Sequence, residues 1–179
     1  MDVLSCIFSG TVAGLLPIGF LMWFLIKKRR FILPYLAGMF TFFLFQFLLR
    51  IPILDYLGTK AWFVSFFRSH VWLYGLFLAL TAGIFEEVGR FMVMKCVLRR
   101  RRDVYSGLVF GVGHWGIEAL LVCGIHAWLS LFLYGGSFTV GPSFMFAGGL
   151  ERLIVLPGHV AKMCIRDRIH DVDDDDFNR

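Results

Sequence analysis

The residues with the clearest chemical potential are Glu86-Glu87-Val88-Gly89-Arg90, set inside an apolar run from about Val71 to Leu98. A charge near the centre of a bilayer costs at least ~2.5–3.5 kcal/mol. Three charges within five residues of such a run imply a use. Two further apolar runs carry the same kinds of group. His114 and Glu118 are spaced i,i+4 and so share a helix face, and His159 lies in a later run. Carboxylates and imidazoles in a water-accessible membrane cavity suit hydrolysis. A glutamate can act as general base on a water. Histidines can stabilise a tetrahedral oxyanion or bind a Zn²⁺ that makes that water more acidic. The chain has no GxSxG and no HExxH, which excludes a standard serine hydrolase elbow and a standard zincin.

These residues need helices to carry them across a bilayer. Of 179 residues, 58% are hydrophobic, which places the chain in the membrane class. The formal charge of +5 does not imply nucleic-acid binding, because the cations gather in two short clusters beside apolar runs. The four cysteines form no CxxC pair, and no secretory signal peptide stands out. The expected fold is all-α: a multi-pass transmembrane helical bundle of about five spans, forming one membrane-embedded domain over 1–161. The spans fall near 3–26, 31–49, 71–98, 104–133 and 143–161. Between the second and third, Arg50 to His70 reads as an interfacial amphipathic or re-entrant segment. The basic clusters at 27–30 and 99–102 fall on one side by span counting. The positive-inside rule makes that side cytoplasmic and puts the N-terminus outside the cell membrane.

Counting along these helices brings the polar residues to one depth. Glu86 lies about 15 residues before the basic turn and His114 about 13 after it, so each is ~20 Å from the turn. Counted from the outer ends of their spans, Glu86 and His159 are both ~22–24 Å deep. Glu86, Glu87, His114, Glu118 and His159 therefore share a layer. Simpler readings exist for each residue alone. Glu86 or Glu87 can pair with Arg90 within the helix, His114 can bond Glu118, and Glu151-Arg152 can be an adjacent ion pair. Five such residues on three helices at one depth favour a functional site.

The last stretch departs from the membrane pattern. Met163 to Arg168 resembles the translation of a transposon adapter used in sequencing libraries. The expectation is a chain truncated near Ala161, with 162–179 a non-native or disordered tail. The aspartate run 173–176 lacks the glycine and closing glutamate of an EF-hand loop.

The strings Leu80-Thr81-Ala82-Gly83-Ile84-Phe85-Glu86-Glu87-Val88-Gly89-Arg90 and Phe110-Gly111-Val112-Gly113-His114-Trp115-Gly116-Ile117-Glu118-Ala119 carry a family likeness. With Glu151-Arg152 and His159, they resemble the YhfC family of bacterial intramembrane metalloproteases, over most of Met1 to Ala161. More distantly, that family resembles the CAAX protease and bacteriocin-processing superfamily. There, three residues usually separate the paired glutamates from the arginine; here there are two, and Trp115 stands where a small residue is usual. The resemblance implies that Glu86 activates water beside Glu87, and that His114 and His159 hold metal or the oxyanion. Two histidines with Glu118 would suit Zn²⁺. It also implies a peptide bond as substrate, in a membrane-associated peptide or a lipidated protein, with the lipid bilayer as surroundings and no nucleic-acid partner. The alternatives are a non-enzymatic immunity or scaffold membrane protein, and an ion-coupled transporter.

Overall fold

A computed structural model describes residues 2–99, 103–135 and 141–177. Arg100, Arg101 and Arg102 of the second basic cluster, residues 136–140 and the side chains of 163–179 lie outside the described residues. Among the described residues the regular structure is all helical, with short turns between helices. Among them six helices follow one another: α1 Val3–Lys27, α2 Arg29–Gly58, α3 Ala61–Ser69, α4 Val71–Cys96, α5 Val104–Leu133 and α6 Pro142–Phe177. Among the described residues, α1, α2, α4 and α5 are long and apolar enough to cross a membrane. The fifth expected span lies in α6, where Glu151, Arg152, Pro157 and His159 interrupt the apolar residues.

Among the described residues three stretches are π-helical: Thr11–Leu15 in α1, Phe43–Arg50 in α2 and Leu120–Gly124 in α5. Two of them end two residues before a proline, Pro17 and Pro52. A proline inside a helix has no N–H to donate, and its ring crowds the carbonyl four residues back. A wider turn just ahead of it relieves that crowding, and neighbouring helices compensate the freed groups. Pro52 therefore does not end α2. The helix runs on to Gly58, past the expected end near Leu49, so the first part of the Arg50 to His70 segment is helical continuation. The segment's second half is the separate helix α3.

The chain divides into two compact units. The first is Met1–Met39 with Arg100–Arg179, and the second is Phe40–Arg99. In the first, α5 is the central element and small residues set its packing. A Cβ on Gly113 would strike the carbonyl oxygen of Tyr35, and one on Gly38 would strike that of Phe110. α1 crosses α5 where Gly124 meets the carbonyl of Ala13, in the two π turns. Side-chain hydrogen bonds close the remaining gaps: Trp128 Nε1 donates to Gly10 O (3.0 Å), Tyr35 Oη to Pro17 O (2.8 Å) and Ser9 Oγ to Met145 O (2.6 Å). Lipid tails are as apolar as leucine, so close backbone approach and interhelical hydrogen bonds take over the role that hydrophobic exclusion has in water. The apolar core, Ala13, Trp115, Ala119 and Cys123, sits in the same place. In the second unit, α4 packs its Gly89 against Phe45 and Thr41 of α2. Leu80, Ile84, Val88 and Phe91 of α4 point outward and are exposed, whereas Gly89, Arg90 and Val93 are buried.

Candidate functional site

In the first unit the polar residues gather where α5 meets α6. Gly111 makes this possible: its missing Cβ leaves room for the carbonyl of His159, which would lie 2.8 Å from that atom. The approach brings the rings of His114 and His159 to a centroid separation of 5.1 Å, with both side chains buried. At least one ring nitrogen of each lies within 4.8 Å of one on the other. Phe110, one turn before His114, stacks toward it at 6.4 Å.

Glu118 stands behind His159. Its Oε2 is 3.0 Å from His159 Nε2, and its Oε1 accepts a 2.5 Å hydrogen bond from Arg152 Nη1. Arg152 also donates from Nη2 to Glu151 Oε1 at 2.5 Å. The adjacent Glu151–Arg152 pair expected from the sequence is thus present, and it extends across to α5. Arg152 is itself fixed through its backbone, whose carbonyl accepts the Trp115 indole N–H at 2.6 Å. Trp115 is fully buried. Its bulk and its indole N–H tie α5 to α6. Glu118 therefore bonds to Arg152 and contacts His159, rather than being merely the i,i+4 partner of His114.

In the second unit, Arg90 is 1% exposed and bonds both neighbouring carboxylates: Nη2 to Glu86 Oε2 at 2.8 Å, Nη1 to Glu87 Oε1 at 2.7 Å. Both intrahelical pairs left open by spacing are formed. A guanidinium satisfies two carboxylates from one plane, a geometry that a lysine cannot match. Glu86 is the more enclosed of the two, with a side chain 17% exposed against 49% for Glu87. The other oxygen of Glu86, Oε1, accepts from Gln46 Nε2 at 3.3 Å. Gln46 is joined in turn to Arg50, whose Nη1 donates to Gln46 Oε1 at 3.3 Å. Two guanidiniums and two carboxylates leave this cluster with no net charge, which lowers the cost of holding it within apolar helices.

Gln46 and Arg50 were not among the candidate residues read from the sequence, and Arg152 was read only as the partner of Glu151. The available signal was a lone amide in an apolar run, together with an arginine that read as the boundary of a span. The structure makes Arg50 an interior residue of α2.

The fold and these two clusters define the class: a polytopic membrane protein of packed helices that holds carboxylates, guanidiniums and imidazoles within its apolar layers. The YhfC intramembrane metalloprotease family matches residues 12–141, and the chain belongs to that family. It is 35% identical over 147 residues to the "Uncharacterized membrane protein YhfC" of Bacillus subtilis (strain 168), a match covering 82% of this chain and 54% of that protein. The chain thus spans about half the length of the curated relative it matches. No solved structure matches the chain.

Proposed function

We propose that the chain carries the site of an intramembrane endopeptidase, which hydrolyses a peptide bond in a membrane-associated peptide or lipidated protein. The observation that carries this reading is the buried His114–His159 pair with Glu118 and Arg152 behind it. Its family's description points the same way. Equal counts along the helices bring Glu86 to the depth of the two histidines.

In this reading Glu86 takes the proton of the attacking water, with Glu87 beside it and Arg90 holding both carboxylates. The carboxylate of Glu118 lies 3.0 Å from Nε2 of His159 and so fixes the orientation of that ring. His114 and His159 face the developing oxyanion or hold a metal. The donor set fits a zinc-type ion: two buried imidazoles close together, one backed by a carboxylate. Such an ion would supply Lewis acidity toward water and carbonyl oxygen. Glu118, engaged by Arg152, orients His159 in preference to ligating the ion itself.

The membrane is the cell membrane, with the N-terminus outside and both basic clusters cytoplasmic. Arg30 of the first cluster lies 3.5 Å from Asp103, the residue after the second, which supports placing both on one side. No nucleic acid takes part.

The test uses the intact gene product in vesicles, with an internally quenched apolar peptide of about 20 residues as reporter. Cleavage is abolished by Glu86→Gln and by His114→Ala, and metal analysis of the purified protein finds one ion lost in His114→Ala. Unchanged cleavage in both variants rules the reading out.

A further inference from the structure

Gln46 and Arg50 sit in the π-helical stretch Phe43–Arg50, whose wide turns show in the bond from Ile51 N to Gln46 O, five residues back. Such turns are rare and alter which side chains share a face. Here they direct Gln46 and Arg50 onto α4. Gln46 is 4% exposed and its amide is fully used. Nε2 donates to Ala82 O at 3.0 Å and to Glu86 Oε1 at 3.3 Å, while Oε1 accepts from Arg50 Nη1. The amide can face only one way. Turned over, its oxygen would meet a carbonyl and a carboxylate, and its NH₂ a guanidinium. Arg50 is anchored to α4 in its own right, through Leu78 O at 2.7 Å and Thr81 Oγ1 at 3.3 Å.

Glu86 is therefore gripped from two helices: Arg90 of α4 holds Oε2 and Gln46 of α2 holds Oε1. The terminal torsion of a glutamate is broad, and a single anchor leaves the carboxylate plane free to turn. A second donor on the other oxygen fixes that plane and aims the remaining lone pairs. We propose that Gln46 is a positioning residue for Glu86, with Arg50 holding the amide in the donating orientation. The proposal rests on the reading of Glu86 as the base that activates water.

Gln46→Leu removes the donor at similar bulk, and Gln46→Glu keeps the shape but offers no donor. Phe47→Leu, in the same π stretch but directed outward, controls for disturbance of the helix. With the quenched apolar peptide in phosphatidylethanolamine/phosphatidylglycerol vesicles, kcat falls ~10–100-fold in both Gln46 variants, as for a misaimed catalytic group. KM stays within about threefold, because substrate binding is untouched. Phe47→Leu behaves as wild type. A second measurement needs no turnover: infrared difference spectra of ¹³C-glutamate-labelled protein, wild type minus Glu86→Gln, isolate the Glu86 carboxylate band, which shifts in Gln46→Leu. An unmoved band overturns the proposal, as does a moved band with unchanged kcat. If wild type does not cleave the reporter and the band still moves, the grip on Glu86 stands and the assignment of Glu86 as base fails.

Discussion

Gly111→Ala tests whether backbone contact places His159. The added Cβ would stand 2.8 Å from the His159 carbonyl oxygen, 3.2 Å from its carbonyl carbon and 3.3 Å from Cα of Val160. All three neighbours are backbone atoms, so no side-chain rotation relieves the overlap. Ordinary van der Waals contact begins at 3.4 Å, so α6 must retreat by about 0.6 Å, and His159 is on the peptide that moves. Gly19→Ala in α1 is the matched control, since nothing lies within 4 Å of its Cβ position. Alanine gains ~1 kcal/mol over glycine in a helix, whereas overpacking costs ~1–3 kcal/mol. Gly19→Ala is then neutral or stabilising, and Gly111→Ala falls about 2 kcal/mol below it. For a chain of this size that is a difference of about 4–8 °C in melting temperature, read by tryptophan fluorescence in detergent. A shift of 0.6 Å at a catalytic group lowers cleavage about tenfold, given that about 1 Å can cost 10²-fold. If both variants melt together and Gly111→Ala cleaves at the wild-type rate, close approach at Gly111 is not what positions His159.

Arg152→Met leaves Glu118 buried without its guanidinium, and costs ~3–5 kcal/mol in equilibrium unfolding in mixed micelles. Adding Glu118→Leu to it restores most of that loss, and a double-mutant cycle measures the coupling. Trp115→Phe keeps the aromatic bulk but leaves the buried Arg152 carbonyl without its donor, lowering stability by ~1–3 kcal/mol in the same assay. Asp103 caps α5, accepting from Ser106 N at 3.3 Å and Ser106 Oγ at 2.8 Å beside Arg30. Desolvation raises its pKa, but the Ser106 hydrogen bonds and the Arg30 charge outweigh it and hold the carboxyl below its ordinary value. A depressed carboxylate adds stability above its unfolded pKa, and that stability is lost as pH falls through the folded one. Asp103→Ala therefore costs ~1 kcal/mol at neutral pH, and unfolding midpoints of variant and wild type converge below about pH 3.9.

Much of this architecture is legible in the residues alone. Helices of 25–30 residues are required where apolar runs are long enough to cross a bilayer, because an unpaired backbone has no water to turn to there. The level of a residue along a regular α-helical stretch follows from a constant 1.5 Å rise. The presence of Glu86, Glu87 and Arg90 in such a helix also demands a mutual arrangement, and both spacings that permit pairing are used. The likeness of two strings sufficed to indicate the family to which the chain belongs.

Rotation about the helix axes, and hence the choice of partner, was decided only by tertiary structure. A π turn breaks the 3.6-residue period, so no counting from Leu49 shows that Gln46 and Arg50 turn onto α4, or that α2 continues through Pro52. Arg152 has Glu151 beside it in sequence, yet it also reaches Glu118, because Trp115 and Gly111 draw α6 against α5. Depth along a helix is a local property of the backbone. Which side chains meet at a given level depends on contacts between helices far apart in sequence, and here glycines, three π-helical stretches and buried hydrogen bonds set those contacts.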